Sequence, residues 1–261
     1  WQYTYHRGMH MNLCGVHHDH IDGSLAALDV IYELYQLAEK PFPFASTDAW
    51  RAFMRNPRID IVERFSTITS VVQTADALTM LGYAYGKRRH SQGLRYVEAK
   101  FAPYYSTKNG LSLRKASDAM IAGLRKAERD FGITILLILC INREADADAG
   151  VAVAKTALEY EGEVAMDLVN NEAAYPPERH AVAYKLTYGS KVKRDCHAGE
   201  WVSKNPPETY EARLVANIKT ALFELKCDGI GHAIPLVKYP DLVAHVADNG
   251  IRISGCPLSN L

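Results

Sequence analysis

The chain has 261 residues, 48% hydrophobic and 23% charged, a globular mixture that excludes disordered and fibrous classes. Thirty basic and thirty acidic side chains cancel, so the net basic face of a duplex-DNA binder is not expected and nucleic acid drops out as a partner. The longest apolar run, Ile133 to Ile141, falls far short of the ~20 residues that cross a bilayer, so a soluble protein with no membrane partner is expected.

Trp1 to Asn12 is aromatic and polar, without the apolar core of a signal peptide, and a trimmed N-terminus is expected. Leu13–His20 reads as the first strand. Residues Leu25 to Arg89 then hold two or three helical patterns broken by Pro41, Pro43 and Pro57. A crossover of that length after a barrel strand lies at the mouth and acts as a lid. From there strands and helices alternate: Leu94–Ala102, helix Leu111–Asp130, Thr134–Asn142, helix Ala147–Glu161, Glu163–Val169, helix Pro177–Tyr188 and strand Val192–Ala198. Helix Tyr210–Lys226, strand Gly229–Ala233, helix Tyr239–Asp248 and strand Arg252–Cys256 complete the series.

Strand, helix, strand in repetition predicts parallel pairing, because parallel neighbours need a crossover. The fold class is therefore α/β. Its two forms are a (β/α)₈ TIM-type barrel with its last β/α unit missing, or a doubly wound open sheet. No G-x-G-x-x-G follows the first strand, which counts against a dinucleotide-binding sheet. There is no internal repeat or linker, so residues 1–261 are expected to form one domain, with 25–89 as the lid. The five cysteines, Cys14, Cys140, Cys196, Cys227 and Cys256, form no C-x-x-C pair, which predicts small buried thiols in a reducing cytoplasm.

The strongest local signal is His17-His18-Asp19-His20-Ile21-Asp22-Gly23-Ser24. Alternation along a strand puts His18 and His20 on one face and His17 with Asp19 on the other. Two imidazoles about 7 Å apart at Cα can converge on one divalent metal, and the competing reading is a solvated polar strand end. Later strand ends add His197 and Glu200 after the fifth strand, His232 on the sixth and Cys256-Pro257-Leu258-Ser259-Asn260 after the seventh. Barrel strands end at one common face, so these groups are expected to gather there. His180 and His245 fall in helical patterns, His90 in a basic run, and His6 and His10 in the opening segment, where structural or surface roles are expected.

In combination, H-x-H-x-D-G-S, Y-V-E-A-K-F-A-P, D-L-V-N-N-E, H-A-G-E, I-G-H-A and C-P-L-S-N resemble the adenosine deaminases of the amidohydrolase superfamily, from about Asn12 to the end of the chain. The resemblance implies one catalytic zinc held by His18, His20 and His197. It implies Glu200 as proton donor to purine N1, and His232 as the group that holds the attacking water and steadies developing charge. His20, Asp22 and Asn170 are implied at the substrate, with Asp22 on the ribose. Zinc lowers the pKa of water from ~15.7 towards ~7, which suits attack on an aromatic amidine carbon.

Two departures follow. The family carries glycine where this chain has Asn170, and a bulkier residue limits approach to the purine edge, so Asn170 is expected to bear on which purine is accepted. The family's next segment carries a metal-binding aspartate, and the chain is expected to continue past Leu261 to supply it. The implied partner is a small purine nucleoside, and the implied reaction is hydrolysis of adenosine or 2′-deoxyadenosine to inosine and ammonia. The alternatives are another 6-aminopurine (adenine, AMP or a modified adenosine) or a nucleoside-binding relic without turnover. Cytidine-type zinc deaminases are excluded by the lack of P-C-x-x-C.

Overall fold

The segment apolar on both faces, Thr134–Asn142, becomes an inner strand of a four-stranded parallel sheet in a computed structural model, which describes residues 15–200 and 208–257. In chain order the strands are β1 (Gly15–His20), β2 (Tyr96–Phe101), β3 (Thr134–Asn142), β4 (Val164–Val169), β5 (Asp195–Ala198), β6 (Gly229–His232) and β7 (Arg252–Ser254). Neighbours pair β1-β2-β3-β4 and β5-β6-β7, all parallel, and one bridge between Met166 and Arg194 joins the two groups. Strand order thus follows chain order, the winding of a (β/α) barrel. Across the interior, Arg252 on β7 reaches Glu98 on β2 at 2.5 Å.

The helices are α1 (Ile31–Leu37), α2 (Thr47–Arg55), α3 (Ile61–Thr69), α4 (Ala75–Ser91), α5 (Leu113–Phe131), α6 (Ala147–Leu158), α7 (Ala181–Leu186), α8 (Glu208–Lys219) and α9 (Pro240–Asp248). The crossover over 25–89 therefore holds four α-helices behind a 3₁₀ turn at Leu25–Asp29, more than the two or three patterns expected. The breaks are set by polar caps as well as prolines. Ser46, Asp60 and Thr74 accept backbone N–H groups of Ala49, Val62 and Ala77 at 3.1, 2.8 and 3.3 Å. Buried Trp50 fastens α2 to α3 by donating to Thr67 Oγ1 at 3.0 Å.

Other boundaries shift for local reasons. Regular pairing of β5 begins at Asp195 rather than Val192, because Arg194 makes only the single bridge to Met166. The helix expected over Pro177–Tyr188 opens as a 3₁₀ turn, Pro177–His180, and its α part ends at Leu186. Helix α8 passes into a π turn at Thr220–Glu224, and β7 ends at Ser254. Leu13, Cys14 and Leu258–Leu261 lie outside the described residues, as do His6 and His10. Among the described residues no helix is long and apolar enough to cross a membrane.

Candidate active site

Strand β1 carries a bulge. Val16 faces Val97 and Asp19 faces Ala99, so His17 and His18 together occupy the place opposite Glu98. Bulges re-aim side chains and recur beside active sites. Here the bulge alters the expected pairing of faces. Asp19 points to α4, where Tyr85 and Arg89 donate to it at 2.6 and 2.5 Å, but His17 turns to Glu98 at 2.9 Å. His18 and His20 do share a side, with ring centroids 5.3 Å apart.

The C-terminal ends of β1, β5 and β6 bring His18, His20, His197 and His232 into one cluster. The His18 ring lies 4.5 Å from that of His197 and 5.3 Å from that of His232. Room for this comes from Gly231, where a Cβ would stand 2.7 Å from His18 Cε1. Nε2 of His20 and Nε2 of His197 face each other at 3.2 Å. Two ligands of a tetrahedral zinc, each bonded at ~2.0–2.1 Å, stand about 3.3 Å apart, so this spacing fits a shared ion. Nδ1 of His18 is buried without a hydrogen-bond partner, as a ligand nitrogen would be. Burial, then the charge of Lys100 for His18 and of His197 for His20, holds both rings well below the usual histidine pKa. They are neutral, the form that ligates metal.

His18, His232 and Cys256 also place ligand atoms within 4.8 Å of one another. Burial pushes the Cys256 thiol up to about 11, and it is the three-histidine set that holds two Nε2 atoms at the spacing of zinc ligands.

His197 is oriented from below. Asp167 Oδ2 lies 3.0 Å from its Nδ1, leaving Nε2 directed at His20. Burial works to raise the Asp167 carboxyl, but His197 and Lys100 outweigh it and hold it well below the usual carboxylate range. Lys100 is itself buried between Asp167 at 2.5 Å and Asp195 at 3.3 Å.

Opposite the imidazoles, Glu200 Oε2 lies 3.6 Å from His232 Nε2. His232 and Ala233 have φ of 71° and 52°, a left-handed conformation that side chains seldom adopt and that clusters at functional sites. Asp22 is buried, accepts the Ala102 N–H at 3.2 Å, and is raised by burial to about 6. Phe65 of α3 covers Gly23, whose Cβ would overlap the ring, and stands 6.1 Å from the His20 ring.

Asn170 has φ of 83°, which is why glycine suits this position and why asparagine, the side chain most tolerant of it, is the substitute. Its Nδ2 donates to Tyr105 Oη at 2.6 Å and Asn142 Oδ1 at 2.7 Å. The histidines set apart by sequence lie elsewhere: His180 is buried on the Arg143 carbonyl at 3.2 Å, His90 stacks on Phe131 and His245 meets Phe223.

Sequence reading gave no role to Asp167, Lys100, Arg143, Glu172 or Phe65. A lone Asp167 inside the apolar strand Val164–Val169 is a signal that was there to find, since an unpaired buried carboxylate is costly.

The adenosine deaminase family model matches residues 15–261. An adenosine deaminase from Clostridium acetobutylicum is 26% identical over 94% of this chain and 71% of its own length. An adenine deaminase from Sphingopyxis alaskensis is 30% identical over 94% of this chain and 69% of its own. Among solved structures, an amidohydrolase from Burkholderia ambifaria with bound zinc has a TM-score of 0.79 at 26% identity, over 94% of this chain and 65% of that one. The adenine deaminase of Arthrobacter aurescens, at 24% identity and TM-score 0.79 over 95% and 72%, shares the fold. The chain belongs to the adenosine deaminase family, hydrolases that act on a C–N bond.

Proposed function

We propose that this protein hydrolyses the 6-amino group of a purine, with adenosine or 2′-deoxyadenosine as first substrate. The observation that carries the reading is the facing of His20 Nε2 and His197 Nε2 beside His18, with Glu200 and His232 paired across the same space. His18, His20 and His197 would hold one zinc ion. When bound there, zinc lowers the pKa of water and so supplies a nucleophile at neutral pH. The zinc-bound Burkholderia ambifaria amidohydrolase supports that choice of metal.

The chain's own groups then have defined tasks. Glu200 gives its proton to N1 as water adds to C6, so negative charge does not build on the ring. A positioned acid of this kind contributes ~10²–10⁴-fold. His232 orients the water and balances the charge that develops on it, from a backbone already held in a strained conformation. Of the two protons of the water, one passes to the amino group, which leaves C6 as ammonia, and the other restores Glu200, so that adenosine becomes inosine. Asp22 binds the ribose, Asn170 bounds the purine edge, and the helices of 25–89 exclude water, with the Phe65 ring 6.1 Å from that of His20. A cytoplasmic setting belongs to the same proposal and is supported by the buried free thiols of Cys140, Cys196, Cys227 and Cys256.

Free adenine is the second reading, favoured by the 30% identical adenine deaminase. An ultraviolet assay of adenosine, 2′-deoxyadenosine, adenine and AMP tests both. Turnover of nucleosides supports the first, turnover confined to adenine supports the second, and turnover of none with zinc bound rejects both.

A further inference from the structure

The glutamate that ends D-L-V-N-N-E and the arginine that follows β3 have no part in the chemistry above, yet both are wholly buried. Glu172 spends its carboxylate on the end of β5. Oε1 accepts the Gly199 N–H at 2.7 Å and Oε2 accepts the Glu200 N–H at 2.8 Å, while Asn217 on α8 donates to Oε1 at 2.9 Å. Arg143 works from the other side of the same strand end. Its Nη2 donates to the carbonyls of His197 at 2.5 Å and Leu168 at 3.1 Å, and its Nη1 donates to that of Tyr175 at 3.3 Å.

We infer that Arg143 and Glu172 are positioning residues that clamp the end of β5, fixing His197 through its carbonyl and Glu200 through its own N–H and that of Gly199. The inference rests on the reading of Glu200 as proton donor and His197 as metal ligand.

The physical case is that these two roles sit three residues apart on chain that has just left its sheet. Regular pairing of β5 stops at Ala198, partnered by His232. Beyond it, the Gly199 and Glu200 N–H groups have no strand to bond, and a carboxylate is the one side chain that accepts two of them with charge-assisted bonds. Removing an acceptor from a buried donor costs the full desolvation of that donor, so the clamp resists loosening. A guanidinium does the converse for carbonyls, reaching three of them from one fixed plane. Burial raises the Glu172 carboxyl, and the nearby Arg143 charge opposes that rise, so the two are electrostatic partners as well as neighbours in function. Displacements of about 1 Å at a reacting group cost on the order of 10²-fold in rate, so the clamp acts on turnover more than on binding.

The test is Glu172→Gln, which keeps the shape but turns one acceptor into a donor facing an N–H. Amide hydrogen exchange at Gly199 and Glu200 should quicken by about tenfold or more, with β3 still protected and zinc content unchanged. On the active substrate kcat should fall about 10- to 100-fold with KM within about threefold. In a Glu200→Gln background the same substitution should cost no more than about twofold, because the group it positions is already gone. Exchange unchanged at Gly199 and Glu200, or losses that multiply in the double variant, would overturn the inference. If the parent turns over none of the purines, the functional reading fails by itself and exchange alone decides the clamp. Should Glu172→Gln not fold, Glu172→Asp keeps the charge, shortens the reach and should give the same exchange result.

Discussion

The barrel interior has two levels with opposite habits. At the lower level charges are matched: Lys100 joins Asp167 and Asp195, and Arg252 joins Asp195 and Glu98, which also takes Tyr96 Oη at 2.9 Å. One layer above, Nε2 of His20 and Nε2 of His197 face each other, and Nδ1 of His18 faces no partner. Both levels are polar and enclosed, so neither polarity nor burial separates them. Pairing does. Groups that complete each other within the chain hold the fold, and imidazole nitrogens that converge on one point suit an ion supplied from outside it.

Substitutions at the two levels should therefore fail in different ways. The largest effect is expected at the upper level, where His18→Ala should reduce bound zinc, measured by elemental analysis, to near none and abolish turnover. The metal-free fold should lose only about 1–2 kcal/mol, because no hydrogen bond to Nδ1 is given up. His17→Ala, on a side chain bonded to Glu98, should leave metal content intact. Equal losses from both would erase the distinction drawn at β1.

Lys100→Met at the lower level should do the converse. It leaves Asp167 with His197 and Asp195 with Arg252 alone, and removing one partner of a buried ion pair costs about 3–5 kcal/mol. Urea unfolding at pH 7.5 measures it, and a loss under about 1 kcal/mol would show that the lower level is not held by its charges.

Asp22 lies between the two habits, buried on backbone N–H groups, that of Ala102 among them, and raised by burial to about 6 from 3.8. Its folded form holds a proton more tightly than the unfolded chain does. Between about pH 4 and 6 the folded state thus binds more protons, stability falls as pH rises through that window, and the deficit persists above it. Asp22→Asn keeps an acceptor for Ala102 and should raise Tm by about 2–5 °C at pH 8 but not at pH 4, while weakening nucleoside binding. No pH dependence in the difference would remove Asp22 from the set of buried carboxylates that are kept at a cost to stability.

The smallest effect is expected at Asn170→Gly. Glycine accepts the φ of 83°, and only the bonds to Tyr105 and Asn142 are lost, so stability should change by under about 1 kcal/mol. Ratios of kcat/KM among purines differing at C2 or N3 should shift about threefold or more if Asn170 bounds the ring. Unchanged ratios would show that it supports Tyr105 and Asn142 only.

Much of this was legible beforehand. The run of strands emerged because each is short, apolar and followed by an amphipathic stretch, and β3 begins and ends where its pattern does. His18, His20, His197, Glu200 and His232 were readable as a group because each lies in or just beyond the last residues of a strand, and barrel strands end together. The crossover over 25–89 is blurred in the sequence because its helices are divided by Ser46, Asp60 and Thr74, caps that a count of prolines passes over. His17 was misplaced because alternation takes no account of a bulge. The lower-level charges stayed silent for another reason. Lys100 finds Asp167 and Asp195 across 67 and 95 residues of chain, and no local pattern records a pair that only closure of the sheet creates.

The central claim is that the upper level performs hydrolysis, with Glu200 as its acid. The direct measurement is the ultraviolet change on conversion of adenosine and adenine by zinc-loaded parent and Glu200→Gln, with metal content determined on the same samples. The account predicts turnover by the parent and a loss of about 10²–10⁴-fold in the variant at equal zinc content. A variant within a few-fold of the parent, or a zinc-loaded parent that converts neither purine, would contradict it.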